Sequence, residues 1–349
     1  MKYGRLTFTA AINSTDLCNL GDIIQIFAVD IIYNEMKIDK KDIVNISVDE
    51  LGTYQGEKVL LPIAGYFNYR RKAPAFPTSH DIIPVFLSLY TTSRIYLRKQ
   101  MFWEKNTPIG CRDEKTMQLM RKRGYDAWLC GCMTMLFPRR DLTPTTPHVF
   151  IVDTEPELSK YIPAELMKNA EYITHEAKVD WKSSKEQIAQ EMERKTKNLL
   201  TRYYNEATLI ITSRLHCAAP CIAMGIPTIV VRDGFDERFG WLDKLIHLYT
   251  SDEYDQIDWN PQPVDLEEHK KHLLDMATSL IKREADYDAV SRIHDFYMER
   301  ERKKLHMPFM VRAYVWMTQY FPGLAGFIRN TILRQFTIVG KSSKIDSKL

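Results

Sequence analysis

Between Thr208 and Val231 the sequence reads TLIITSRLHCAAPCIAMGIPTIVV, two runs of β-branched and apolar residues around a helical segment. An apolar run without alternation, Thr208 to Thr212, fits a strand covered on both faces, and Gly225 with Pro227 closes the helix that follows it. Strands joined through a helix lie parallel in one sheet. This single unit restricts the chain to α/β folds with helices covering parallel sheets.

The alternation recurs along the chain. RLTFTA, IVNISV, VLLPIAG, TPIGC and DAWLCG read as strands; GDIIQIFAVDIIYNEM and EKTMQLMRKRG read as helices, the second closed by Gly124. DIIPVFLSLY, residues 81–90, also reads as helical. FPRRDLTPTTP, residues 137–147, has the Pro and Thr content of a linker. The pattern then restarts with HVFIVD, a long helical region through about residue 205, and the opening unit. At 349 residues the chain exceeds what one core usually serves. The expected division is an α/β domain over 1–142, a second over 148–285, and a helical, basic, apolar and aromatic tail over 286–349.

Composition narrows the function. From Arg302 onward nine Lys/Arg face one acidic residue, so the chain's net charge of +3 conceals a body of −5. A basic tail on a mildly acidic body suits an anionic surface, and no recognition helix, finger or RNA platform is present, so nucleic acid is not an expected partner. The start, MKYGRLTFTAA, lacks the apolar segment of a secretory signal. Six cysteines, mostly inside apolar runs, fit reduced thiols, and a cytoplasmic setting is expected. Cys130-Gly-Cys132 and Cys217-x3-Cys221 do not have the usual zinc spacing, so no metal is expected.

The opening unit also places chemistry. Ser213, Arg214, Leu215 and His216 fall at the carboxyl end of a strand and the first turn of a helix, the edge where open α/β sheets bind ligands. Free N–H groups there, with a guanidinium and an imidazole, make an anion site. The same residues have a structural reading, in which Arg214 pairs with a carboxylate and His216 is a hydrogen-bonded core histidine. Arg112 and Asp113 occupy an equivalent strand-to-helix edge, where Asp113 is also an ordinary N-cap. Asn19, Gly21 and Asp22 occupy a third. No G-x-G-x-x-G or P-loop motif is present.

SRLHCAAPCIAMGIPTIVV, with N-L-G-D at Asn19 to Asp22 and G-C-R-D-E-K-T at Gly110 to Thr116, resembles the polysaccharide pyruvyltransferase family across roughly residues 10 to 285. The resemblance implies two Rossmann-like domains facing a cleft, as in the glycosyltransferase-B arrangement, with the first on the acceptor side and the second on the donor side. It implies transfer of pyruvate from phosphoenolpyruvate, as co-substrate and with no cofactor, onto a sugar as a ketal. It places Arg214 and His216 in the donor site.

On that reading His216 is the acid/base, because imidazole both gives and takes protons near neutrality. Arg214 is the first donor anchor with Ser213 and Leu215 beside it, and Arg112 is a second, because a guanidinium matches phosphate or carboxylate through paired hydrogen bonds. Asn19, Asp22, Asp113 and Arg238 are expected on the acceptor side or lining the cleft, and Tyr66 or Tyr69 could stack on a sugar face. Where members of the family commonly carry an aspartate, this chain has Cys-Gly-Cys-Met-Thr at 130–134.

In the tail, the longest uncharged run, Ala313 to Ile328, contains a proline and falls short of the ~20 apolar residues that span a bilayer. Residues 308–339 suit either a helix pair lying on an anionic leaflet, on the inner face of the cell membrane, or packing across the two domains. Two other functions use the same architecture: a nucleotide-sugar glycosyltransferase, with Arg214 on a diphosphate, and a non-catalytic glycan-assembly protein.

Overall fold

A computed structural model describes residues 1–7, 17–67, 74–180 and 182–299, with 313, 316 and 317 beyond them. The expected roles of Tyr69 and of most of residues 308–339 fall outside this set. Two sheets organise the chain. The first contains β1 (Lys2–Thr7), β3 (Ile43–Ser47), β4 (Val59–Tyr66), β5 (Ile82–Tyr90), β6 (Ile109–Cys111) and β7 (Ala127–Leu129), in the order β3-β1-β4-β5-β6-β7. The second contains β8 (Val149–Val152), β9 (Ala170–Ile173), β11 (Leu209–Thr212), β12 (Thr228–Val231) and β13 (Leu248–Tyr249), in the order β13-β12-β11-β8-β9. Every pairing in both is parallel. These are two Rossmann-like α/β units.

The helices are α1 (Leu20–Glu35), α2 (Gln100–Lys105), α3 (Glu114–Arg121), α4 (Ala164–Met167), α5 (Lys185–Glu206), α6 (Leu215–Ala223), α7 (Glu267–Ile281) and α8 (Tyr287–Met298). DIIPVFLSLY, expected as a helix, is instead the central strand β5. It is buried at nearly every position, and a continuous apolar run covered on both faces carries no period from which to distinguish strand from helix. The long helical region expected before residue 205 is also interrupted. Four-residue β9 lies at the edge of the second sheet, and β10 (Glu176–Lys178) leaves that sheet altogether.

β10 pairs antiparallel with β2 (Leu17–Asn19), a ladder that joins the two halves directly ahead of α1. The Leu20 amide extends this ladder by donating to the His175 carbonyl at 2.8 Å. Helix α1 packs against both α5 and α6, and Arg5 on β1 holds Asp30 at 2.7 Å on α1 and Glu193 at 2.8 Å on α5. The two units are therefore fixed with the carboxyl ends of their strands turned towards each other. After the second sheet the chain returns to the first: α8 covers β7, and Leu129 donates its amide to His294 at 3.2 Å.

That return gives the Cys130-Gly131-Cys132 segment a structural role. Gly131 has φ +66°, and a Cβ there would lie 2.8 Å from the Tyr297 ring of α8. Both cysteines are buried, and the Cys130 thiol donates to the Leu87 carbonyl at 2.8 Å. Among the described residues no group of three or more His, Cys, Asp or Glu side chains is arranged to hold a metal. Gly131→Ala is expected to lower stability by about 3 kcal/mol, from left-handed strain plus overpacking against Tyr297, read as a fall in the urea midpoint.

Candidate active site

Arg112 lies where the two units meet. It follows β6, and its side chain is 1% exposed, so its charge must be met inside the protein. The acceptors supplied are neutral. Its Nη2 donates to Gln25 Oε1 at 2.6 Å and to the Ser88 carbonyl at 3.4 Å, and its Nε donates to Ser88 Oγ at 3.2 Å. Ser88 is held in turn through its own donation to the Gly131 carbonyl at 2.8 Å. The register between β4 and β5 shifts between Ile63 and Ala64, one residue before Ser88, a bulge that sets where this hydroxyl points. The remaining nitrogen, Nη1, faces His216 Nε2 of the opposite unit at 3.5 Å.

A guanidinium has no lone pair to offer, so the imidazole nitrogen facing it is the unprotonated one. Burial, then Arg112, Arg238 and His175, hold His216 well below the usual imidazole value. It rests as a neutral base. Gly21 permits this placement: a Cβ there would lie 3.1 Å from His216 Cβ and 3.1 Å from Asn19 Oδ1. Asn19 caps α1 by accepting from the Gly21 amide at 3.0 Å, and Asp22 lies in the first turn of that helix. The first turns of α1 and α6 thus meet at the imidazole.

Arg214 is differently occupied. Its Nε donates to Asp153 Oδ2 at 2.9 Å and its Nη2 to Glu176 Oε1 at 3.3 Å, the carboxylate pairing that was the alternative reading of this residue. Ser213 donates its hydroxyl to the Asp153 carbonyl, and Leu215 is buried at the start of α6. Arg214 therefore braces the Ser-Arg-Leu-His turn against β8, β10 and the β2 ladder. Arg238 forms a paired bridge with Asp236, at 2.8 and 2.5 Å. Its charge still reaches His216. Tyr66 and Tyr90, at the carboxyl ends of β4 and β5, pack as a tilted ring pair with centroids 4.9 Å apart, and Tyr66 is exposed.

Asp113 does cap α3, accepting from the Thr116 amide at 2.9 Å, but its second oxygen is buried without a hydrogen bond. Facing it from the loop after β12 is Glu237, which accepts from Lys115 and also has one buried oxygen left over. Burial raises the Asp113 carboxyl to about 6 and Glu237 adds to this, against the lowering effect of Thr116 and Arg112. A raised carboxyl contributes stability that is complete below its unfolded value and is lost as pH rises through about 6. Asp113→Asn keeps an acceptor for the cap. The variant is expected to gain on wild type by about 2 kcal/mol between about pH 4 and pH 7, read from urea midpoints at the two values.

The cleft therefore brings together Arg112, His216, Arg238, Asn19, Asp22 and Asp113, and sets Ser213, Arg214 and Leu215 in the wall that holds His216. Gln25, Ser88, Asp153, Glu176 and Glu237 complete the arrangement. Of these only Gln25 leaves a trace in the sequence, as a polar residue on the apolar face of GDIIQIFAVDII.

A search of curated proteins returned no match. Residues 98–233, which contain Arg112, Asp113, Ser213, Arg214, Leu215 and His216, match the family model described as polysaccharide pyruvyl transferase. That segment, and with it the strand-to-helix edges that carry Arg112 and His216, is similar to the polysaccharide pyruvyl transferase family, whose members are transferases.

Proposed function

We propose that the chain transfers the pyruvyl group of phosphoenolpyruvate to a sugar of an exopolysaccharide or lipid-linked glycan intermediate, as a ketal. The observation that carries this is Arg112, a buried guanidinium held, among the described residues, by neutral acceptors, with Nη1 3.5 Å from a neutral imidazole. Such a charge demands an anion, and the neighbouring base handles protons. Phosphoenolpyruvate carries two anionic groups on a small planar frame, and a guanidinium matches either.

In the reaction, one acceptor hydroxyl adds to the central carbon of the donor as the terminal methylene takes a proton and becomes methyl. A second hydroxyl then replaces phosphate at that carbon, and its proton leaves with the phosphate. His216 enters unprotonated, so its first act is to take the proton of the attacking hydroxyl, which it can then deliver to the methylene carbon. A bound anionic donor offsets the field of Arg112 and Arg238 and raises the imidazole towards the range where it both takes and gives. Tyr66 offers a ring for a sugar face, and Asn19, Asp22 and Asp113 stand on the acceptor side. Arg214, Ser213 and Leu215 fix the backbone that presents His216 to the donor.

No helix among the described residues is long and apolar enough to cross a membrane. We assign the basic tail to the inner face of the cell membrane, where a lipid-linked acceptor would be met. The test is a product assay with two arms. Phosphoenolpyruvate and a panel of glycan and lipid-linked sugars should give phosphate together with an acid-labile, carboxylate-bearing product. Turnover of nucleotide sugars instead would move the chain to the glycosyltransferase reading.

A further inference from the structure

Gln25 lies between Ile24 and Ile26 on α1 and is 2% exposed. A buried amide needs a donor for its oxygen and acceptors for its nitrogen. Here the oxygen takes the Arg112 hydrogen bond at 2.6 Å, and the nitrogen lies 3.4 Å from both the Gly21 carbonyl and Asp22 Oδ1. The side chain ties the first turn of α1 to the guanidinium across the cleft floor. Because Gln25 and Ser88 occupy Nη2 and Nε, they leave Nη1 as the edge that faces His216.

The residue type matters as much as the contact. Arg5, Arg202, Arg214 and Arg238 each bind one or more carboxylates, so their charges are met within the protein. Among the described residues no carboxylate forms an ion pair with Arg112. Glutamate at position 25 would have the same shape and accept the same hydrogen bond, yet it would neutralise the guanidinium. We infer that Gln25 is a positioning residue that orients Arg112 and, being neutral, reserves its charge for an anionic substrate. This rests on the proposed reading of Arg112 as the donor anchor.

Gln25→Glu and Gln25→Met separate the two contributions. The readouts are the titration of His216 by NMR without ligand, and binding of phosphoenolpyruvate and of inorganic phosphate. In Gln25→Glu the added carboxylate offsets Arg112, so His216 should titrate closer to the ordinary histidine value, and phosphoenolpyruvate affinity should fall by about tenfold or more. Gln25→Met, which removes the hold without adding charge, should weaken both ligands while leaving His216 depressed by burial, Arg112, Arg238 and His175. Unchanged His216 titration and unchanged affinity in Gln25→Glu, in a protein whose wild type binds phosphoenolpyruvate, overturn the inference alone. A wild type that binds neither ligand, with His216 still moving in Gln25→Glu, removes the donor reading and supports the positioning role.

Discussion

Arg112→Met should reduce turnover by about 10²–10³-fold, the scale of losing one preorganised charge donor at a reacting centre. The cause is geometric. Arg112 touches both the floor of the first unit, through Gln25 and Ser88, and the imidazole of the second. Methionine has a similar length and fills the volume, so the fold is kept, although the Gln25 and Ser88 acceptors lose their donor at about 1–3 kcal/mol each. Removing an uncompensated buried charge opposes that loss. Arg112→Lys should recover little, because a point charge cannot reach Gln25, Ser88 and a substrate anion together. Single-turnover rates and melting midpoints measured on the same preparations separate lost chemistry from lost stability.

His216→Gln should lower kcat by about 10²–10⁴-fold while phosphoenolpyruvate still binds, since the group handles protons and does not carry the anchoring charge. The pH profile carries a second signature. His216 is held below the ordinary value by burial and then by Arg112, so kcat/KM should fall only as pH drops well below about 6.5, where the imidazole protonates. Taking Arg112 away removes one of the lowering charges. In Arg112→Met the acidic limb of the residual activity should move up towards the ordinary histidine value. For stability the sign is the same: a depressed imidazole contributes fully above its unfolded value, and the contribution is lost as pH falls through the folded one.

Much of the architecture was legible because parallel strands and their crossover helices leave distinct marks: β11, α6 and β12 follow directly from TLIITS, the Gly225 stop and PTIVV. The misreadings have physical causes. β5 is covered on both faces and so shows no alternation, while β9, β10 and β13 are too short to carry a period. Strand-to-helix edges made Arg112, Asp113 and His216 visible, because ligand sites form where strands end. What the sequence could not show is which charges are already met. Asp153 and Glu176 lie far from Arg214 along the chain and reach it only through β8 and the β2–β10 ladder. A buried guanidinium without a carboxylate and one braced by two look alike as letters. On the proposed reading, their difference makes Arg112 the anchor and Arg214 the brace.

That difference is tested most directly by calorimetric titration of phosphoenolpyruvate into wild type, Arg112→Met and Arg214→Met at one pH and ionic strength. Saturable binding to wild type that is lost in Arg112→Met and largely kept in folded Arg214→Met is the predicted result. Equal binding by wild type and Arg112→Met, or loss confined to Arg214→Met, would contradict the account.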